Sequence, residues 1–261
     1  MLCLRAGHEL EDAREVALTL ALRARPHRHQ RRSRWRRLAP GRQALLALAH
    51  LRNGDILTPM AAGFQVGVAT AWRYTREAIT LLAATTNDLH QAMIRIRLLA
   101  YVILGGTLIP IDRVHDQKPY YSGKHRRHGM NMQVIADAAG RLVWASAALP
   151  GSAHDLTAAR THGIVAALTN ADVMTFADTA YQGAGGSVRI PFKRHCYRPK
   201  LSRRQKAVNM AHARICCRGE RAVATLKTWK ILTKLRFSSS RSAMVQAILV
   251  LHHVENPTYQ G

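Results

Sequence analysis

The hydrophobic pattern of the sequence changes its period near residue 99, and this change constrains the fold more than any other feature. From about residue 38 to 98, apolar residues recur at helical spacing, whereas residues 100–111, AYVILGGTLIPI, form a run rich in branched apolar side chains, as strands do. Residues 130–149 then suggest two strands around a turn, followed by a helical segment over 152–168, short strands in VMTFAD and SVRIPF, and a long helical stretch over 202–234. This order predicts a mixed α/β fold and excludes both an all-β sandwich and a helical bundle.

The same pattern predicts four segments. Residues 1–37 form a partly disordered N-terminal arm, with a helical stretch from about Glu9 to Leu22 and a basic run after it. Residues 38–86 form a small all-α domain, residues 87–98 a linker helix, and residues 99–256 the α/β domain.

The charge of the chain points to a polyanionic partner. Its 261 residues include 39 Lys and Arg against 15 Asp and Glu, which gives a net charge of +24. Eight arginines lie between Arg23 and Arg37, where there is no acid at all. DNA or RNA is therefore the expected partner. The arm itself is either a solvated disordered tail or a phosphate-binding segment that adds affinity without sequence choice.

Other features bear on location and redox state. No apolar run approaches the roughly 18 residues of a membrane span. The first residues include several acids, whereas signal and transit peptides are basic or poor in acids at this end. We therefore expect a cytoplasmic protein without a membrane partner. The chain has no CxxC pattern, so we expect reduced thiols at its four cysteines, which are Cys3, Cys196, Cys216 and Cys217.

Residues 38–86 have the outline of a helix-turn-helix. A helix over Gly41–Leu51 is followed by a second to about Phe64, with Thr58 as its predicted N-cap and Pro59 at its first position. A short turn leads into the third helix, VATAWRYTREAITLL. If this helix enters the major groove, the groove-facing residues are Thr70, Arg73 and Arg76. An ordinary three-helix bundle shares this spacing and remains the alternative.

Two carboxylates of the α/β domain occupy positions where a metal ligand could lie. Asp178 ends the strand VMTFAD, and the carboxyl ends of strands in α/β folds are common ligand positions. Its alternative role is to cap the following loop. Glu220 lies in the long helix on the same face as Lys227, and its alternative is an exposed acid paired with neighbouring arginines.

From Leu38 to the C-terminus the chain resembles bacterial insertion-sequence transposases of the DDE superfamily, in the branch related to the eukaryotic Harbinger transposases. Any one matching segment is weak evidence for this resemblance, but seven segments in the right order are strong evidence. These are LAPGRQALLALAHLRNGD, GTLIPIDRV, YYSGKHRRHGMNMQVIAD, WASAALPGSAHDLTAARTHG, FADTAYQGAGG, RIPF and GERAVATLKTWKILTKLR.

The resemblance implies an RNase H-like catalytic domain in which two aspartates and one glutamate bind two Mg²⁺ (or Mn²⁺) ions for attack on a phosphodiester. Asp178 matches the second aspartate and Glu220 the glutamate. The resemblance also implies double-stranded DNA partners, namely terminal inverted repeats and a target, with a homo-oligomer assembled on DNA in the bacterial nucleoid.

The sequence departs from the family at two chemical positions. Gly105 stands where the first aspartate is expected. Asp112 cannot replace it without a rearrangement, because seven strand residues span roughly 23 Å and the odd offset turns the side chain to the other face. The family pattern Tyr-x2-Arg-x3-Glu-x6-Lys falls on Ala213, Cys216, Glu220 and Lys227, so an arginine that would hold phosphate has become Cys216.

Two further groups match the family. His154 and Asp155 are candidates for a role behind the metal ligands, although Ser152 and Asp155 also have the spacing of a capping box. A basic, aromatic loop precedes the second strand, and its side chains either contact phosphate or are solvated. Its members are Tyr120, Tyr121, Lys124, His125, Arg126 and Arg127.

The sequence thus predicts a DNA transposase that cleaves and transfers strands at element ends, in a copy impaired by Gly105. The alternatives are a DNA-binding relic without catalysis and a basic RNA-binding protein. We also predict that Gly105 and Asp178 lie on adjacent strands, with Glu220 on a helix packed beside them.

Overall fold

A computed structural model describes residues 37–111, 118–194, 197, 200–234 and 241–255. The predictions for residues 1–36 and for Asp112 therefore lie outside the described residues. The described residues separate into two compact units, one formed by those up to Thr86 together with those from Thr228 onward, and one by those between Asn87 and Lys227.

The first unit is helical and contains the predicted three-helix arrangement. Helix α3 packs against α1 and α2, and its other partner is α9. A buried cluster that includes Leu46, Ala71 and Tyr74 forms the core between the first three helices. The helices of this unit are α1 (Pro40–Asn53), α2 (Leu57–Gly63), α3 (Val68–Ala84), α8 (Ile231–Lys234) and α9 (Arg241–Glu255).

The start of α2 differs from the prediction. Ile56 occupies the N-cap position with no side-chain cap, so Thr58 and Pro59 lie inside the first turn. Proline is still compatible with this position, because the first N–H groups of a helix have no partner within the helix.

The packing divides the chain differently from the predicted segments. Residues 228–234 and 241–255 fall in the helical unit, because α9 buries Val245, Ile248 and Leu251, and α9 lies against α3. Helix α4 (Leu89–Ile96), predicted as a linker, packs in the other unit. It begins with a capping box formed by Asp88 and Gln91.

The second unit is built on a mixed sheet, which confirms the predicted α/β fold class. Within the described residues the sheet has the order β2-β3-β1-β6-β7, with β4 and β5 also paired to β3. Strand β1 is antiparallel to β3 and parallel to β6. The strands are β1 (Val102–Pro110), β2 (Tyr121–Ser122), β3 (Arg127–Ala136), β4 (Leu142–Ala145), β5 (Leu149–Pro150), β6 (Thr175–Ala177) and β7 (Val188–Arg189).

Helices cover both faces of strand β1. Helix α7 (Arg203–Lys227) lies on one face, where Gly219 approaches Ile103 so closely that a Cβ atom on the glycine would lie 2.8 Å from Cγ2 of Ile103. Helix α5 (Asp155–Thr161) lies against the opposite face, where a Cβ atom on Gly106 would meet the Asp155 carboxylate. Because side chains alternate along a strand, position 105 faces α7 and position 106 faces α5.

Two predicted helices are interrupted. The segment over 152–168 forms α5 and α6 (Ile164–Asn170), and Gly163 separates them with a φ of 69°, which favours glycine. The predicted helix over 202–234 ends at Lys227, where the chain passes into the other unit. None of the described helices is long and apolar enough to cross a membrane.

Candidate active site

The strand register brings Gly105 beside Asp178. Leu104 pairs with Ala177 in the parallel β1–β6 ladder, so the next residue on each strand path is Gly105 and Asp178. Strands β1 and β6 are adjacent, as predicted, although Asp178 directly follows the last residue of β6 and does not lie on the strand itself. The Asp178 side chain is exposed, and its Oδ1 accepts a hydrogen bond of 2.9 Å from the Ala180 N–H. Asp178 therefore also caps the turn that follows it.

Glu220 lies on the helix that packs beside these strands. Its neighbour Gly219 approaches Ile103 on β1, and the Glu220 side chain is exposed. Among the described side chains Glu220 makes no ion pair, so the alternative of an acid paired with arginines is not met.

The charges of both Asp178 and Glu220 affect the pKa of the Cys216 thiol. Burial raises the pKa of the Cys216 thiol to about 11, and the negative charges of Asp178, Cys217 and Glu220 add to this effect in that order. Position 216 thus lies within electrostatic reach of Asp178 and Glu220. The arginine that the family resemblance implies here would carry a positive charge, which the neutral thiol lacks.

Position 105 has free space around it. A Cβ atom on Gly105 would meet no other heavy atom within 4 Å. A Cβ atom on Gly106, by contrast, would collide with the side chains of Asp155 and Gln133. Of these two adjacent glycines, the fold requires only Gly106. The side chain missing at position 105 is therefore not excluded by packing.

The Asp155 carboxylate does not cap a helix. His154 occupies the N-cap position of α5 and makes no side-chain cap, so the predicted capping box of Ser152 and Asp155 is wrong. The reason is that α5 begins at Asp155 itself, which directs the carboxylate away from the helix N-terminus. Asp155 Oδ1 accepts a hydrogen bond of 2.7 Å from Asn131 Nδ2, and Asp155 Oδ2 forms an ion pair of 3.1 Å with Lys124 Nζ.

A buried hydrogen-bond chain continues from Asp155 into the sheet. Gln133 Nε2 donates to Asn131 Oδ1 over 2.8 Å, and the Tyr181 hydroxyl donates to Gln133 Oε1 over 2.5 Å. Burial, followed by the charges of Asp155 and Asp178, raises the pKa of Tyr181 well above its ordinary value, so the hydroxyl remains a donor. Sequence reasoning missed this chain, although polar residues alternating within the apolar strand β3 were a signal for it.

A cleft of about 430 Å³ opens between Asp155 and Asp178. Lys124 and His125 line it, which places part of the basic loop at the cleft. Burial lowers the pKa of His125, and the positive charges of Lys124, Arg127 and Lys227 lower it further against the opposing effect of Asp155. Lys227 therefore lies within electrostatic reach of the same cleft.

Two family models and one relative match the sequence of the chain. Residues 104–253 match the family model described as "DDE superfamily endonuclease", and residues 36–88 match "Helix-turn-helix of DDE superfamily endonuclease". The chain belongs to the DDE superfamily of endonucleases. It is also 30% identical over 195 residues, 74% of this chain and 71% of the relative, to a protein of Streptomyces albus G named "Putative transposase for insertion sequence element IS112". No solved structure matches.

Family membership confirms the predicted resemblance and, at the level of the family, the DNA transposase function. DDE superfamily endonucleases generally use divalent metal ions. In the described part of this DDE endonuclease, no three His, Cys, Asp or Glu side chains gather where they can hold a metal. Asp155 lines the same cleft as Asp178 but is paired with Lys124, and among the described side chains no third donor completes a metal-binding group with them. The donors present do not fit the two-ion site that the resemblance implies.

In the helical unit, the predicted groove-facing residues lie on α3. Arg73 and Arg76 are exposed, whereas Thr70 is half-buried and accepts a hydrogen bond of 3.2 Å from Arg73 Nη2. The Arg76 guanidinium lies 5.1 Å from the centre of the Trp72 ring. In the sheet unit, Arg126 and Arg127 are exposed as well.

Proposed function

We propose that this DDE endonuclease binds the ends of a mobile element as a DNA transposase and that Gly105 impairs its strand cleavage. The observation that carries the proposal is the register of β1 and β6, which sets an open, side-chain-free position beside Asp178. A carboxylate there would complete a set with Asp178 and Glu220 on one face of the sheet. As the chain stands, Asp178 and Glu220 are two of the three ligands expected for Mg²⁺ or Mn²⁺.

The residues of the cleft are suited to hold a DNA phosphate. Lys124 has three donors, one of which is directed to Asp155, and its side chain is 56% exposed. The others are available to phosphate oxygens in the cleft. We assign the same role to Lys227, Arg126 and Arg127, since arginine and lysine contacts to phosphate position DNA without reading its sequence.

We assign sequence reading to Thr70, Arg73 and Arg76 on α3. The N-terminal part of a recognition helix contacts base edges in helix-turn-helix proteins, and these residues lie in the first three turns of α3. Terminal inverted repeats are the expected target, and two ends held together imply a homo-oligomer on DNA.

The binding test uses the full chain and duplexes that carry the inverted repeats flanking the gene, with shuffled duplexes as competitors. We expect affinity to fall with salt, with a slope of roughly −0.9 for each phosphate neutralised. Deleting residues 1–37 should lower this slope and preserve the preference for the repeat, whereas Arg73→Ala with Arg76→Ala should abolish the preference. Loss of preference on deleting the arm would refute the assignment to α3.

The two alternatives have distinct results in the same experiment. A DNA-binding relic binds the repeat and shows no nicking with Mg²⁺ or Mn²⁺, even after Gly105→Asp. An RNA-binding protein prefers a single-stranded or structured RNA competitor over the repeat duplex.

A further inference from the structure

The exposed face of α3 carries two apolar side chains among its cations. Val68 is 45% exposed and Trp72 is 49% exposed, and they are one helical turn apart. The opposite face of α3 is buried through residues such as Ala71, Tyr74 and Ala78. Val68 and Trp72 therefore lie outside the buried core of the helical unit.

The two arginines beside this apolar pair are held in place by neighbours. Arg73 donates to Thr70 over 3.2 Å, and Arg76 lies over the Trp72 ring at 5.1 Å. A cation held over an indole retains its charge for an external partner while losing less side-chain freedom on binding. The surface thus combines fixed positive charges with an exposed apolar edge.

This combination matches the chemistry of the DNA major groove. Phosphates line the edges of the groove, and on its floor only thymine presents a methyl group, which apolar side chains contact. Val68 is the first residue of α3 and Trp72 lies in the next turn, and this end of a recognition helix meets the base edges.

We propose that Trp72, with Val68 beside it, contacts thymine C5-methyl groups and makes this chain selective for thymine at one or two positions of its binding site. The inference rests on the proposed function, because it requires α3 to enter the groove. Arg76, stacked on the same ring, would lie next to the thymine it helps to select.

The test begins with a binding sequence selected by the full chain from duplexes with a random 20-base-pair centre. Each thymine of the selected duplex is then replaced singly by uracil, which removes only the C5-methyl group. We expect one or two replacements to weaken binding roughly fourfold, the effect of losing one buried methyl-sized group. Trp72→Ala should bind the thymine duplex correspondingly less well and should no longer distinguish thymine from uracil.

Two variants control for other effects of the substitution. Trp72→Phe keeps an aromatic ring and should retain most of the discrimination. Phe192→Ala removes an aromatic side chain of similar exposure, 48%, from the other unit and should leave the discrimination unchanged. Thermal melting of Trp72→Ala should match the unmodified chain, because the indole is not part of the core.

Each possible result bears on the proposal. Equal binding of thymine and uracil at every position by the unmodified chain would overturn it while leaving the proposed function intact. Full discrimination retained by Trp72→Ala would also overturn it, since another group would then read the methyl. Unchanged DNA affinity in Trp72→Ala would likewise overturn it, since the indole would then make no favourable contact with the duplex. Absence of any sequence preference in the selection would overturn both this inference and the assignment of α3 as the reader.

Discussion

Introducing a carboxylate at position 105 is the most direct test of the proposed impairment. The substitution Gly105→Asp places its Cβ in open space, so the fold accommodates the first atom of the side chain. The new carboxylate would face α7 and lie beside Asp178 across the β1–β6 ladder. With Glu220 it would form the three-carboxylate set that the resemblance implies.

Without a bound metal, the loss of stability caused by Gly105→Asp can be worked out from the spacing of the strands. Neighbouring strands lie about 4.8 Å apart, and at this distance two negative charges repel by about 0.9 kcal/mol in water or about 3.5 kcal/mol at an effective dielectric constant near 20. Because the Asp178 side chain is exposed, the lower figure applies. We expect Gly105→Asp to lose about 1 kcal/mol of unfolding free energy in EDTA, which corresponds to a Tm lower by about 2 to 4 °C.

A divalent ion should reverse this effect. Ions that bind only the folded state stabilise it, so Mn²⁺ or Mg²⁺ should raise the Tm of Gly105→Asp and leave that of the unmodified chain nearly unchanged. Gly105→Asn has almost the same shape without the charge and should show neither effect. Gly106→Ala provides a packing control, because its Cβ would collide with the Asp155 carboxylate and should destabilise the protein.

Cleavage provides the functional measurement. Loss of a group behind a metal ligand typically costs about 10- to 100-fold, so restoring a direct ligand should raise nicking of a labelled end fragment by several orders of magnitude. Adding Cys216→Arg to Gly105→Asp should raise it further, because the arginine would hold DNA phosphate. Efficient nicking of the fragment by the unmodified chain, abolished by Asp178→Asn, would refute the proposed impairment, since another group would then replace the expected aspartate.

Two further predictions concern Asp155 and Cys216. Asp155→Asn removes a negative charge from the cleft, so DNA should bind more tightly if Asp155 has no positioning role. We expect weaker binding instead, because Asp155 holds the Lys124 ammonium in place. The loss should resemble that of Lys124→Gln, and the two losses should not add in the double variant. The measurement is a double-mutant cycle of duplex affinities, and tighter binding by Asp155→Asn would contradict the positioning role. Because the pKa of Cys216 is raised to about 11, its thiol stays protonated at pH 8, and its rate of alkylation should rise with pH until about 11. Mass spectrometry of iodoacetamide-treated Cys217→Ser at several pH values measures this rate, and a plateau near pH 9 would contradict the predicted burial of the thiol.

Local patterns in the sequence were sufficient for the elements and the fold class. Helical spacing located α1 to α3, and runs of branched apolar residues located β1 and β3, because periodicity is a property of neighbouring residues and survives without tertiary information. The family motifs identified Asp178 and Glu220, whose roles as metal ligands stay predictions. Gly105 was recognised as a departure from the motif, although its open surroundings were visible only in the structure.

Tertiary packing decided what the local patterns left open. The spacing of Ser152 and Asp155 fits a capping box, yet Asp155 instead binds Asn131 and Lys124, which are 24 and 31 residues away along the chain. Similarly, α9 follows the α/β segment in sequence but packs on α3. Its apolar side chains are buried against the complementary surface that the folded chain offers, whatever the separation in sequence. The physical reason is the same in both cases: a carboxylate or an apolar face is satisfied by the groups that surround it in the folded chain, and these groups are fixed by the fold as a whole.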